Sequence, residues 1–311
     1  VTGATGYVGG RLVPRLLAAG HRVRALARDP RKLAGRAWSA HPALEIATGD
    51  ALDEAALASA CRGCRAAYWL VHSMDARHED FAEADRRAAA AMARAAAAAG
   101  LERIVYLGGL GEDGPDLSPH LRSRAEVARV LAAGPVPVTT LRAGMILGSG
   151  SASFEILRYL VDRLPAMVTP RWVGTPCQPV AIRDVLGYLV GILDAPAAAG
   201  RTFDVGGPEV LTYRRLMEVY AEEAGLPRRW IVPVPILSPR LSSYWIHLVT
   251  PVPAALARPL AEGLRNPVVA HDDALRALLP RDLLTPREAI RLALERFRHD
   301  ATETHWTDAG R

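Results

Sequence analysis

Short apolar runs alternate with helix-patterned stretches over roughly the first third of the chain, and this alternation predicts its architecture. Residues 1–2 close a strand, 9–19 read as a helix, 22–27 and 44–47 as strands, and 54–60 as a helix. An apolar strand at 66–71, a long helix at 81–99 and a strand at 104–107 follow. Strands that are apolar at nearly every position are buried on both faces, as in a parallel sheet covered by helices. Repeated β-α-β units therefore predict an α/β protein with a doubly wound parallel sheet. The alanine tract at 88–99 suits a helix packed closely on a sheet, and Gly100 supplies an exit at positive φ. Pro14 falls inside the first helix, where it removes a backbone donor and predicts a kink.

Farther along, 122–132, 154–164, 185–193 and 216–224 read as helices, and 138–142 and 203–205 as strands. Pro227, Pro233, Pro235 and Pro239 mark a connection, followed by helical stretches within 242–264, 272–279 and 286–297. The expected division is a sheet-bearing domain, 1–226, and a smaller, mostly helical extension on the substrate side, 227–311. There is no internal repeat.

The composition is that of a globular protein: 311 residues, 50% hydrophobic, which excludes disordered and fibrous classes. The formal charge is only +5 and almost all positive charge is arginine, Lys32 being the sole lysine. Acids are interleaved with these cations, and no basic run alternates with aromatics, so no nucleic-acid partner is expected. Cys61, Cys64 and Cys177 cannot build a disulfide framework, which points to a reducing compartment. Cys61 and Cys64 form a C-x-x-C without the second pair that zinc requires, so no metal is expected. Pro251, Pro253, Arg258 and Pro259 interrupt the apolar stretch 244–264, so no transmembrane span is expected. The start inside a strand reads as a trimmed terminus rather than a signal peptide, and a cytoplasmic location follows as an expectation.

The strongest chemical signal is the opening VTGATGYVGG, where Gly3, Gly6 and Gly9 are spaced G-x-x-G-x-x-G between a strand and a helix. A tight turn, close backbone approach to a pyrophosphate and tight helix packing each need glycine, and N–H groups at the helix start face the anion. Thr5, Tyr7 and Val8, between these glycines, complete the candidate cradle. The next strand ends in Arg28, followed by Asp29, Arg31 and Lys32. A cation there can hold a 2′-phosphate, which favours NADP(H), with Arg28 and Lys32 as the candidates. A solvated charged turn is the alternative, and Asp29, able to accept from a ribose hydroxyl, leaves NAD(H) open. Asp50 and Ala51 follow the third strand, where a side chain reaches the adenine edge, although Asp50 could equally cap a helix. Val71 and His72 end the fourth strand at the sheet's ligand-binding edge. Neither a G-x-S-x-G elbow nor an H-E-x-x-H occurs.

The glycine turn, together with ARDPRKL, YWLVHSM, LRAGMILGSG and FDVGGPEV, resembles the short-chain dehydrogenase/reductase superfamily, in its extended and atypical branch with NmrA-like proteins. YWLVHSM, HLRSRAEVARVL and TPVPAALARPLAEGL are further similar to bacterial NAD(P)-binding proteins whose longer members carry another C-terminal domain of unknown function. The resemblance implies a Rossmann fold, a nicotinamide dinucleotide cofactor and an unidentified small-molecule substrate, with a homodimer as an open expectation. Classical members of the superfamily use a tyrosine acid/base, a lysine four residues later and a serine or threonine after the fifth strand. The matching segment here, HLRSR, puts His120 at the tyrosine position and Arg124 at the lysine position, with Gly108 and Gly109 at the strand end. A single lysine at position 32 excludes any Y-x-x-x-K. Two functions remain open on these residues. One is an NADPH-dependent oxidoreductase in which His120 donates a proton and Arg124 is a fixed cation. The other is a nucleotide-binding redox sensor or assembly factor without turnover.

Overall fold

A computed structural model describes residues 1–71, 81–111, 117–234 and 249–309. His72 and the 242–248 part of an expected helix lie outside the described residues. The chain runs α1 (Gly9–Ala18), β1 (Val23–Ala27), α2 (Arg31–Ala34), β2 (Leu44–Thr48), α3 (Glu54–Cys61), β3 (Ala66–Trp69), α4 (Phe81–Ala98), β4 (Arg103–Gly109), α5 (Pro119–Ala132) and β5 (Val138–Ala143). It continues through β6 (Ile146–Leu147), α6 (Ala152–Arg163), β7 (Ala166–Pro170), β8 (Pro176–Cys177), β9 (Val180–Ala181), α7 (Ile182–Gly191), β10 (Thr202–Val205), β11 (Leu211–Thr212) and α8 (Tyr213–Glu223). The last elements are β12 (Trp230–Val234), α9 (Ala254–Gly263), α10 (Ala274–Leu278) and α11 (Pro286–Arg298).

Strands β10, β5, β4 and β3 form one parallel sheet, and β1 and β2 a parallel pair. Residues 1–2 join the two: Leu26 N–H donates to Val1 O at 2.9 Å, and Thr2 N–H to Tyr68 O at 3.0 Å. The result is a doubly wound sheet in the order β2, β1, residues 1–2, β3, β4, β5, β10. Because side chains alternate across a strand, each face buries its own core. Val105, Leu107, Leu141 and Phe203 face Leu12, Leu16, Val185 and Leu189 of α1 and α7. Trp69, Ile104, Tyr106 and Val138 face the alanines of α4, with Met92 among them, and Val127 and Leu131 of α5. A third core joins Phe154, Leu157 and Val161 of α6 to Leu216 and Tyr220 of α8 and Ile290 and Leu294 of α11.

The pattern-based elements are corrected in several places; α7, for one, begins at Ile182 rather than 185. Helix α5 begins at Pro119 rather than 122, because Ser118 is its N-cap and proline, lacking an N–H, suits the first helical position. The proline-marked connection contains a strand, β12, paired in parallel with β7. Pro233 is tolerated there because this is a two-stranded sheet, in which both strands are edges. Helix α1 continues through Pro14 to Ala18.

Candidate functional site

The glycine turn is fixed by contacts that leave no room for side chains. Gly3 has φ +69°, and a Cβ there would lie 2.7 Å from Leu70 O. A Cβ on Gly9 would lie 2.1 Å from Gly3 O, so the start of α1 packs directly on the turn. Gly6 N–H closes the turn onto Gly3 O at 3.0 Å. No side chain caps α1; Gly10 N–H donates to Gly6 O and Arg11 N–H to Val8 O, so the helix start offers an anion the Gly9 N–H and the positive end of its dipole.

This turn opens on a cleft of about 1220 Å³ along the carboxyl edge of the sheet. Gly3, Thr5, Gly6, Tyr7, Val8 and Gly9 line it, as do Arg28, Asp50, Ala51, Val71, His120 and Arg124. Parallel strands deliver these residues to one edge, which is why positions so distant in sequence meet. Lys32 does not line the cleft: its Nζ donates to Ala309 O at 3.2 Å.

At the end near β1, Arg28 is exposed and makes no hydrogen bond or ion pair with any described residue. Asp29 is turned away from it into a two-pronged pair with Arg31, whose Nε and Nη2 each donate at 3.0 Å. Those hydrogen bonds hold the Asp29 carboxyl below its usual range. Asp50 closes a local turn by accepting from Leu52 N–H at 2.9 Å, while Asp53 caps α3 through Ala55 and Ala56 N–H.

At the other end, His120 occupies the second position of α5 and Arg124 lies one turn further on. Arg124 Nη1 donates to Leu107 O at 3.3 Å, and its Nε is buried without a hydrogen-bond partner. A side recess of about 30 Å³ adjoins the cleft here, lined by Gly108, Gly109, Thr140, Arg124 and Arg142. Arg142 pairs with Asp204 at 2.7 Å, and the other carboxylate oxygen of Asp204 lies 2.7 Å from His271 Nδ1. Burial alone would raise the Asp204 pKa, but the hydrogen bonds from His271 and Arg142 outweigh it and hold the carboxyl below its usual value.

Two features of the site were not assembled from the sequence. One is this Arg142–Asp204–His271 cluster, although Arg142 and Asp204 fall within LRAGMILGSG and FDVGGPEV. The other is the tail 303–309, which crosses in front of the glycine turn. Trp306, Thr307 and Ala309 line the cleft, and Ala309 Cβ lies 3.9 Å from where a Cβ on Gly6 would be. Thr304 Oγ1 donates to Tyr7 O at 2.8 Å, Arg15 pairs with Glu303 at 3.0 Å, and Arg36 pairs with Asp308 at 2.8 Å. Tyr7 sits beneath Arg11, 4.7 Å from guanidinium carbon to ring centroid, and burial pushes its phenol well above the usual range. Among the described residues, no helix is long and apolar enough to cross a membrane.

A family profile described as NAD(P)H-binding matches residues 3–158, from the glycine turn to the middle of α6. The chain belongs to this NAD(P)H-binding family. A (4-alkanoyl-5-oxo-2,5-dihydrofuran-3-yl)methyl phosphate reductase of Streptomyces griseus is 32% identical over 238 residues, covering 74% of this chain and 75% of the relative. A 3-diazoavenalumate denitrifying reductase of a Streptomyces species is 28% identical over 284 residues, covering 80% and 89%. Among solved structures, the triphenylmethane reductase of Citrobacter complexed with NADP(H) superposes with a TM-score of 0.73 at 20% identity, covering 94% of this chain and 98% of that one. An NADPH-dependent quinone oxidoreductase of Escherichia coli complexed with NADPH gives 0.72 at 21%, covering 93% and 97%. The similarity to NmrA-like, atypical short-chain dehydrogenases/reductases thus holds over the fold, and the chain is a nicotinamide dinucleotide-dependent oxidoreductase.

Proposed function

We propose that this enzyme is an NADPH-preferring reductase that passes hydride to a conjugated small organic acceptor, with His120 as the proton donor. The observation that carries this reading is one continuous cleft with the bare glycine turn and Arg28 towards one end and His120 with Arg124 at the other. The residues present fit the cofactor. The uncapped start of α1 suits a diphosphate, and Arg28, with no partner among the described residues, suits a 2′-phosphate. Asp29 is engaged by Arg31, which weakens the case for a ribose diol and hence for NAD(H). Asp50, Ala51 and Val71 would flank the adenosine half, and Lys32 would add positive charge nearby.

When bound, the reduced nicotinamide supplies the hydride. His120 then delivers a proton to the acceptor atom left electron-rich and is reprotonated from solvent, so that one acceptor gains two hydrogens and NADPH becomes NADP. The similar reductases are named for an unsaturated lactone, a quinone and a triphenylmethane dye. Hydride entering a conjugated system is spread over several atoms, which relaxes the need for a tyrosine–lysine pair acting on one alkoxide. With Cys61, Cys64 and Cys177 all free thiols, the proposed setting is the cytoplasm.

The test is cofactor oxidation across ketones, enones and quinones with NADPH and NADH. Turnover of the conjugated acceptors, faster with NADPH, is expected. No oxidation with any class would refute the reductase reading in favour of a nucleotide-binding module.

A further inference from the structure

The cleft carries an imbalance of charge that cofactor binding leaves unused. Asp50 is the only acid among its described lining residues, and it stands near Arg28, at the ends of the adjacent strands β2 and β1. Arg124, at the opposite end, has no acidic counterpart among the described residues. Its Nη1 donates to the neutral Leu107 O, its other neighbour Tyr106 is an uncharged phenol, and its Nε is buried with no hydrogen-bond partner among the described residues. The comparison with Arg142, across the side recess, is instructive: that guanidinium is neutralised by Asp204, which lies almost wholly buried against it. Of the two cations that line the recess with Gly108 and Gly109, Arg142 has a counter-charge and Arg124 has none among the described residues.

A partly buried guanidinium without an anion is disfavoured by desolvation unless a ligand completes it. Its planar fork matches a carboxylate or a phosphate oxygen pair, and it is always charged. The site also has room. Gly109 presents no side chain beside the Arg124 stem, since a Cβ there would lie 3.9 Å from Arg124 Cγ, and Arg124 faces both the recess and the main cleft. Neutral ribose hydroxyls of a cofactor would satisfy N–H groups but not the charge.

We propose that Arg124 recognises an oxyanionic group of the substrate, a carboxylate or a phosphate monoester, so that the physiological acceptors are anionic. This rests on the reading that the acceptor is a conjugated small molecule reduced in the same cleft.

The test uses the NADP-loaded protein and three butenolides that differ in one arm only: hydroxymethyl, carboxymethyl, or the phosphate monoester of the hydroxymethyl. Calorimetric titration should show at least one anionic form binding at least about tenfold tighter than the neutral form, with added salt narrowing the gap. Arg124→Gln should abolish the preference and Arg124→Lys should keep much of it. If the glutamine variant does not fold, the wild-type preference, its salt dependence and the lysine variant decide. Equal affinities for neutral and anionic forms, including no measurable binding of either, overturn the proposal. So does a preference that survives in Arg124→Gln, or a glutamine variant whose loss falls on NADP affinity instead. Turnover is read separately: anionic butenolides that bind through Arg124 but are not reduced with NADPH would refute the conjugated-acceptor reading and leave the anion site standing.

Discussion

Arg11 Nε donates to Thr304 Oγ1 at 2.8 Å, tying the helix that follows the glycine turn to the chain's tail. Arg11 is almost fully buried, and its Nη2 donates to Ser149 O at 2.7 Å. The turn, the tail and the loop before α6 are thereby held by one guanidinium. Thr304→Val keeps the volume but removes the acceptor for Arg11 and the donor to Tyr7 O. Leaving a buried charged donor unpaired costs about 1–3 kcal/mol, and urea unfolding should show that loss as a lowered midpoint with an unchanged slope.

Glycine at position 9 is required by contact rather than by conformation. A Cβ there would meet Gly3 O at 2.1 Å, and backbone on both sides prevents relief by a side-chain rotation. Gly9→Ala should destabilise the protein by about 1–3 kcal/mol or more and weaken NADPH binding, because the turn must open to admit the methyl. Thermal unfolding with and without NADPH measures both.

The glycine turn, the Arg28 position and the two-faced sheet were legible in the chain because each has a local signature: spacing, strand end, or an unbroken apolar run. His120 and Arg124 were legible through the resemblance of HLRSR to the superfamily's catalytic segment, and both line the cleft. The β7–β12 pair was not, because Pro233 is an argument against a strand until its edge position is known. The tail was not either. Thr304, Trp306 and Ala309 have no periodicity, and their role depends on contacts with residues near the opposite terminus, such as Tyr7 and Lys32. Asp204 could not be matched to Arg142 from the sequence, since only the register of β10 on β5 sets them side by side.

Arg28 should set cofactor choice. It lines the cleft without a partner among the described residues, while Asp29 is held by Arg31. Wild-type protein should bind NADPH more tightly than NADH, and Arg28→Ala should remove most of the difference. A charge-assisted contact is worth about 1.5–3 kcal/mol, hence roughly 10- to 150-fold in affinity. Fluorescence titration of both cofactors measures it, and equal wild-type affinities would refute the assignment.

The Asp204 carboxylate should make stability depend on acid pH. Its folded-state pKa lies below the unfolded value, so the folded protein releases its proton more readily than the unfolded chain does. The stabilisation is therefore fully present above the ordinary carboxylate range and is lost as pH falls through the lower, folded value. Wild type should exceed Asp204→Asn in unfolding free energy at neutral pH, with the gap shrinking below about pH 4. Because Asp204 also accepts from His271 N–H at 3.0 Å, the variant should loosen the segment around Val268, which lines the cleft. Hydrogen exchange of that segment provides the second readout.

His120 should act on the chemical step rather than on cofactor affinity. It lies with Arg124 on the cleft wall, in the stretch that resembles the superfamily's catalytic helix, away from the glycine turn and Arg28. His120→Phe removes the proton donor while retaining a planar ring. General acid catalysis is worth about 10²–10⁴ in rate, so kcat for an enone should fall by about a hundredfold or more, with NADPH affinity little changed. A quinone should suffer less, because its reduced form is a weaker base and takes a proton from water more readily than it needs one from the protein. The ratio of the two losses separates proton delivery from a packing defect, which would depress both acceptors alike.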